Sequence, residues 1–319
     1  MNLIDERIHE RVIAKKLELD SYRPLSKEIV RKLQEAMEIE YTYHSNAIEG
    51  NRLTKRETQL VIREGITIGE KSLRDHLEAR NHPKAMCYIE NLKDHDLTEK
   101  DILKVHEISF SGILENAGSY RNSQVFIEGS DYRPSPAFEV PNLIKNLLEW
   151  LRKNPDELRP IEIAAVFHHK FVSIHPFDDG NGRLARLLMN LLLIKHGYPF
   201  TVIRTYDRRR YYDTLKKADN GDLKPFVNFI ARCVEESTDL YLSAIKPSNE
   251  ASQFLSLAEA AKRTQYSQEY LSLLSRRGMI AATKIGKNWY ITPEALNSYL
   301  TGLSSRGRKS NLTGRHGED

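Results

Sequence analysis

Apolar side chains recur at helical spacing through most of this chain. Ile29, Leu33, Met37 and Tyr41 repeat every four residues behind Ser26, a suitable N-cap, and predict a helix ending between Asn46 and Asn51. Leu77, Ala85, Tyr88 and Ile89 mark an amphipathic stretch from Leu73 to Asn91, in which Pro83 is placed to kink or split the helix. Thr98, followed by Glu99 and Asp101, opens a helix over 99–110 with Ile102, Val105, Ile108 and Phe110 on its apolar side. Helices follow over Val140 to Arg152 and over Pro160 to Ser173, where Pro160 suits the first helical position. From Arg183 another begins, with Leu184, Leu187, Leu188, Leu191 and Leu192 as its stripe and Gly197 and Pro199 as its stop. Arg208 to Cys233 is amphipathic with a break at Asn220-Gly221-Asp222.

Two stretches depart from this pattern. Glycines and prolines fill Gly118 to Pro141 around Gln124-Val125-Phe126-Ile127, which predicts a hairpin about Glu128-Gly129-Ser130-Asp131 with its proline-bearing second arm at an edge. Beyond a linker at Lys246-Pro247-Ser248-Asn249, residues 254–301 read as helix, turn, helix, hairpin, helix. Ser256 and Glu259 form a capping box, Ser267 caps the second helix and Gly278 ends it. Ala281 to Ile285 and Asn288 to Ile291 flank Gly286-Lys287, which suits a type II′ turn, and Thr292-Pro293 starts the last helix.

The result is a mainly α protein in four parts: an N-terminal helical region over 1–100, a core over 101–245, a small unit over 254–301, and a Gly-, Ser- and Arg-rich tail over 302–319, expected to be disordered. At 319 residues and 40% hydrophobic the chain can build more than one core. Its 48 Lys plus Arg against 44 Asp plus Glu give +4, too modest to announce a nucleic-acid binder. Cys87 and Cys233 lie far apart with no CxxC or Cys/His cluster, so buried free thiols are expected rather than a disulfide framework or zinc site. The charged N-terminus and the lack of a long apolar run point to a cytoplasmic protein with no membrane span.

Candidate chemistry concentrates in residues 175–186, His-Pro-Phe-Asp-Asp-Gly-Asn-Gly-Arg-Leu-Ala-Arg. Gly180 and Gly182 let consecutive amides turn toward one anion, and the following helix adds its positive end. Arg183, Arg186 and Asn190 share one face of that helix. His175 suits a general base for a hydroxyl, and Asp179 is a hard oxygen ligand for magnesium. These residues leave two readings open: phosphoryl or nucleotidyl chemistry, or a helix-capping histidine, an ordinary turn and surface-paired arginines. No GxxxxGK[ST] and no GxGxxG in a βαβ setting is present.

The string resembles the signature of the Fic family, His-Pro-Phe-x-(Asp/Glu)-Gly-Asn-Gly-Arg-x-x-Arg, with every specified position filled. The resemblance covers about residues 100–245. It implies a helical Fic fold with a β-hairpin flap and the transfer of AMP from ATP to a Ser, Thr or Tyr hydroxyl of a target protein. Carried over by position, it implies that His175 deprotonates the hydroxyl and Asp179 binds Mg2+. Gly180, Asn181, Gly182 and Arg183 would hold the α- and β-phosphates and Arg186 the γ-phosphate, with Phe177 as a core anchor. Val125, Phe126 and Ile127 would form the flap that aligns the target as an added strand. Ser45-Asn46-Ala47-Ile48-Glu49-Gly50 is similar to the family's inhibitory motif, (Ser/Thr)-x-x-x-Glu-(Gly/Asn), which implies that Glu49, a helical turn from Ser45, pairs with Arg186 and holds the enzyme inhibited. Alternatives are the reverse reaction, removal of AMP with a water positioned by Glu49, and a nucleotide-sensing transcription regulator; a metal-dependent phosphohydrolase is a third reading.

Residues 254–301 resemble an excisionase-type winged helix-turn-helix. That implies duplex-DNA contacts from Gln268, Tyr270, Ser275 and Arg276 near the recognition helix and from Lys284 and Lys287 on the wing, with protein contact as the other use of such a unit. His168 and His169 are expected in the core or at an interface, Arg208-Arg209-Arg210 as a solvated face, and Tyr206, Tyr211 and Tyr212 as candidates for an adenine pocket. The target protein is not readable, nor is the oligomeric state, for which a homodimer is one candidate.

Overall fold

Local capping sets the starts of the helices in a computed structural model that describes residues 2–25, 27–126, 132–245, 255–285, 288–293, 295–297 and 299–300. Asp5 caps α1 (Glu6–Ser21), and α2 (Lys27–Ile48) follows, its proposed cap Ser26 lying outside the described residues. Capping boxes open α3 (Lys55–Arg63) at Thr54 and Glu57, α4 (Leu73–Asn91) at Ser72 and Asp75, and α5 (Glu99–Phe110) at Thr98 and Asp101. Then come α6 (Val140–Lys153), α7 (Pro160–Ile174), α8 (Asn181–Lys195), α9 (Arg208–Asp219) and α10 (Lys224–Ile245).

Pro83 does not split α4, which runs unbroken through it. The carbonyl left without its helical partner is tolerated because Ala79, Ala85, Met86 and Ile89 fix both halves of α4 in the interior. Cys87 points the other way, so the thiol expected to be buried is exposed, whereas Cys233 is buried.

The chain divides into two compact units, 1–241 and 242–319, so residues on both sides of position 100 belong to one body. In the first unit α7 and α8 pack along each other, and α2, α4 and α5 pack against α8. Ile48, Val105, Phe167, Phe171, Phe177, Leu184, Leu188 and Leu191 meet in one core. The hairpin expected around residue 128 has no backbone pairing among the described residues: 121–126 and 132–136 run as extended coil, and Ile127 and the turn at 128–131 lie outside them. Pro134 and Pro136 remove two donors from the second arm, and side chains bridge instead, with Gln124 Nε2 donating to the Pro134 carbonyl at 3.0 Å.

The second unit contains β1 (Leu255–Ser256), helices Leu257–Lys262 and Gln268–Arg276, and an antiparallel pair, β2 (Ala282–Ile285) and β3 (Asn288–Ile291). The sheet order is β1-β3-β2, with Ala282 opposite Ile291 and Ile285 opposite Asn288. β1, too short to show a pattern, was not anticipated. Gly286 and Lys287 lie outside the described residues. Leu257, Ala260, Leu271, Leu274, Ile280 and Ile291 form a core of this unit's own.

Candidate active site

The end of α7 and the start of α8 bracket the loop 175–180. His175 closes α7 in the left-handed region at φ 51, a conformation a β-substituted residue holds only when its surroundings fix it. Its Nδ1 lies 3.3 Å from the Val172 carbonyl, which can only accept, so Nδ1 carries the proton and Nε2 keeps its lone pair. Burial lowers the His175 pKa from its ordinary value and Arg121 adds to that, against the opposing pull of the Val172 carbonyl, Asp179 and Glu49. The imidazole is therefore neutral at pH 7.

Phe177 is fully buried with its ring stacked on His106, centroids 3.7 Å apart, and it anchors the loop. Asn181 closes on the same residue: its Oδ1 accepts from Phe177 N at 2.9 Å and its Nδ2 donates to Phe177 O at 2.8 Å. Its side chain thus shapes the loop, and what it offers an anion is its backbone N–H. Gly180 sits at φ 83, and a Cβ there would lie 2.1 Å from the Phe110 ring, so only glycine fits. From this turn α8 begins, and the amides of Asn181, Gly182 and Arg183 have no intrahelical acceptor.

Two buried arginines face that cradle. Arg183 lies over the Phe110 ring at 4.6 Å and donates from Nη1 to Glu78 at 2.6 Å and from Nη2 to Asp179 at 3.3 Å. Its Nε is buried without a partner. Arg186 is held against α2: Nε donates to Ser45 Oγ at 3.1 Å, Nη2 to the Ser45 carbonyl at 2.8 Å, and Nη1 to Glu49 Oε1 at 2.7 Å. Glu49 also lies over the cradle, since a Cβ on Gly182 would come within 2.5 Å of its Oε1. The Glu49 carboxylate therefore occupies both the arginine and the space above the glycine turn.

Beneath Arg186 the groups are neutral. Tyr211 OH meets His168 Nε2 at 3.0 Å, burial pushes the Tyr41 and Tyr211 phenols up, and burial with Arg186 lowers His82 to about 3 and His168 well below its ordinary value. Tyr211 is thus an interior support rather than the wall of an open adenine pocket, while Tyr212, against Arg208, is partly exposed. His169 pairs with Asp219, and Arg208 donates to the Ile48 carbonyl instead of standing free in solvent; Arg209 is exposed.

Asp179 is paired with Arg74 as well as Arg183; burial would raise its pKa, but Arg183 and Arg74 outweigh burial and hold it below the ordinary carboxylate value. A lone carboxylate beside a phosphate cradle suits magnesium, which takes one or two protein carboxylates and fills its shell with substrate phosphate and water. No cluster of three metal-ligating side chains occurs among the described residues.

Reasoning from sequence missed Arg74, Glu78 and Arg121. Glu78 is buried, joining Arg74 at 3.0 Å, Arg183 at 2.6 Å and Asn51 Nδ2 at 2.9 Å. For Glu78 the signal was a set of polar and charged residues on the inward face of α4, with Asp75, His76, Asn81 and His82, invisible until α4 is placed on α8; Arg121 lies in coil and carried none. Of the flap residues, Phe126 is exposed, Val125 is partly buried and Ile127 is outside the described residues. In the second unit Gln268, Tyr270 and Arg276 are exposed, whereas Ser275 is buried and donates to the Leu271 carbonyl, which removes it from any contact surface.

No helix among the described residues is long and apolar enough to cross a membrane. Residues 96–193 match the Fic/DOC family. The chain is 38% identical over 247 residues to a protein adenylyltransferase Fic of Nematostella vectensis, covering 76% of this chain and 57% of that protein, and 37% identical to one of Aedes aegypti, covering 76% and 49%. It therefore spans about half the length of these relatives. Its fold is similar to a crystal structure of a Fic domain containing signaling protein from Bacteroides thetaiotaomicron, with TM-score 0.68 and 30% identity over 75% of this chain and 97% of that one. Fic-1 from C. elegans gives TM-score 0.68 and 33% identity over 76% and 73%. With the loop signature, the α7–α8 geometry and these relatives in agreement, the chain belongs to the Fic/DOC family.

Proposed function

We propose that this chain is a protein adenylyltransferase that moves AMP from ATP to a hydroxyl side chain of a target protein and is held inhibited by Glu49. The observation that carries the reading is a neutral imidazole with a free Nε2 at the end of α7, beside an anion cradle and two buried arginines at the start of α8. His175 Nε2 takes the hydroxyl proton as the hydroxyl oxygen attacks the α-phosphorus; the bond from that phosphorus to the α–β bridging oxygen breaks and pyrophosphate leaves. Amides 181–183 and Arg183 orient the α- and β-phosphates, and Arg186 takes the γ-phosphate once Glu49 withdraws. Asp179 would hold magnesium, which when bound offsets phosphate charge. Coil 121–126 and 132–136 supplies exposed backbone for the target segment. The names of the two relatives support the same reading.

Intact mass of the protein after incubation with ATP and magnesium tests it. Glu49→Gly is expected to gain AMP where wild type gains little, and His175→Ala in the Glu49→Gly background to gain none. Loss of AMP from a modified protein, faster with Glu49 than without it, would favour the reverse reaction.

The second unit we read as a winged helix-turn-helix that contacts duplex DNA, supported by Gln268, Tyr270 and Arg276 standing exposed on one helix followed by an antiparallel strand pair. Retention on duplex DNA that weakens steeply with salt is the expected result; retention indifferent to salt refutes it. A cytoplasmic location fits Cys87 and Cys233, which no disulfide joins.

A further inference from the structure

Arg121 is almost wholly buried and makes no ion pair among the described residues. Backbone carbonyls take its donors instead: Nε donates to His175 O at 2.7 Å, Nη1 to Ser123 O at 2.9 Å and Nη2 to Ser135 O at 2.5 Å. Its own backbone N–H donates to Pro176 O at 3.0 Å. One planar guanidinium thus ties together three stretches of chain: the loop that carries the base, the coil at 121–126 and the coil at 132–136. The two arms have no backbone pairing among the described residues, and this side chain and Gln124 bridge them.

Burying an arginine without a carboxylate in direct contact is costly, and burial lowers its pKa against the opposing pull of Asp178. A core position with no task would be better filled by an apolar residue, which makes the arrangement informative. His175 adds the reason: its backbone is held at φ 51, and the carbonyl that Arg121 grips belongs to that residue.

We propose that Arg121 is a positioning residue that sets the general base and the target-docking segment with one side chain. The proposal rests on the adenylyltransferase reading for its catalytic consequence, though not for the structural tie. A docked target strand that moves either arm is felt at His175 through Ser123, Ser135 and the Arg121 fork. Lysine cannot replace it, because an ammonium lacks the rigid planar set of donors that spans three diverging carbonyls.

Arg121→Lys and Arg121→Gln test this in the Glu49→Gly full-length chain. Both variants are expected to lose on the order of 100-fold in the rate of AMP transfer, the size of effect seen when a reacting group is misplaced by about 1 Å. ATP affinity by equilibrium dialysis should stay within about twofold, since Arg121 touches no cradle residue. NMR of labelled histidine, with His175 assigned by His175→Ala, reads the tie without any activity. Arg121 faces His175 together with Asp179 and, in wild type, Glu49; the His175 pKa should rise in Arg121→Gln, which loses the charge, and the ring resonance should move in Arg121→Lys, which keeps the charge and loses the fork. An Arg121→Lys protein with parental transfer rate and an unmoved His175 resonance overturns the proposal, as does a fall in ATP affinity that accounts for the whole rate loss. A parent that transfers no AMP while His175 still responds to both variants refutes the adenylyltransferase reading and leaves the tie standing.

Discussion

Glu49→Gly acts on two measurable quantities at once, because Arg186 has one carboxylate partner among the described residues and nothing charged to replace it. The pair is 2.7 Å long, with the arginine side chain 1% exposed and the glutamate 27%. His82 and His168 beneath it are neutral, and the phenols of Tyr41 and Tyr211 keep their protons. Removing one partner of a fully buried pair costs about 3–5 kcal/mol. Water reaching Glu49 reduces that here, and roughly 2 kcal/mol is the working figure. At about 2–4 °C per kcal/mol for a unit of this size, the ATP-free variant should melt some 4–8 °C below wild type. ATP then returns an anion to Arg186, so the same roughly 2 kcal/mol reappears as an affinity gain of about 30-fold. Thermal unfolding with and without ATP, and equilibrium dialysis of ATP, read both sides. A variant that melts with wild type, or that binds ATP no more than about twice as tightly, refutes the idea that Glu49 neutralises Arg186 in place of a ligand.

Gly180→Ala places a methyl 2.1 Å from Phe110 at φ 83, and overpacking plus left-handed strain should cost roughly 3 kcal/mol in chemical denaturation; an unchanged midpoint refutes the role given to this turn. The His175 pKa is lowered, so the neutral imidazole, protonated on Nδ1 alone, dominates above its ordinary value near 6.5, and kcat/KM of Glu49→Gly should be flat through neutral pH and fall only on the acid side of about 6.5; an acid limb above that value contradicts the burial argument. Arg74→Gln frees Asp179 of an exposed ion pair worth about 0.5–1 kcal/mol, so Mn2+ binding in the presence of ATP, followed by electron paramagnetic resonance, should tighten roughly two- to fivefold; no change means that Arg74 does not compete with the ion.

Most of the helical frame was legible because its signals are local: Thr98, Ser256 and Ser267 cap where their spacing said they would, and Asn220 and Gly221 separate α9 from α10. The loop 175–186 was legible for the same reason, being contiguous. What could not be read were choices made by packing. Pro83 stays inside an unbroken α4 because both halves of that helix are buried, and Cys87 faces solvent because Ala85, Met86 and Ile89 claim the inner side. Arg74, Glu78 and Arg121 carry no motif; they lie 54 or more positions before the arginine and loop they hold, and only the docking of α4 on α8, and of the coil at 121–126 beside the end of α7, brings them there. Among the described residues the expected flap pairing is absent, and the prolines at 134 and 136 take away two of the donors such pairing would use.

Glu49 stands in the turn directly after helix α2, and α2 itself carries Ser45, whose hydroxyl and carbonyl hold two of the donors on Arg186, and Ile48, whose carbonyl receives Arg208. The helix that walls Arg186 and the carboxylate that pairs with it are thus adjacent in one stretch of chain. A truncation that strips residues 27–50 would therefore take away the Ser45 hydroxyl and carbonyl and the Ile48 carbonyl along with Glu49, and leave Arg186 and Arg208 without those partners. On the proposed reading, freeing Arg186 means turning one carboxylate aside while the helix before it stays where it is.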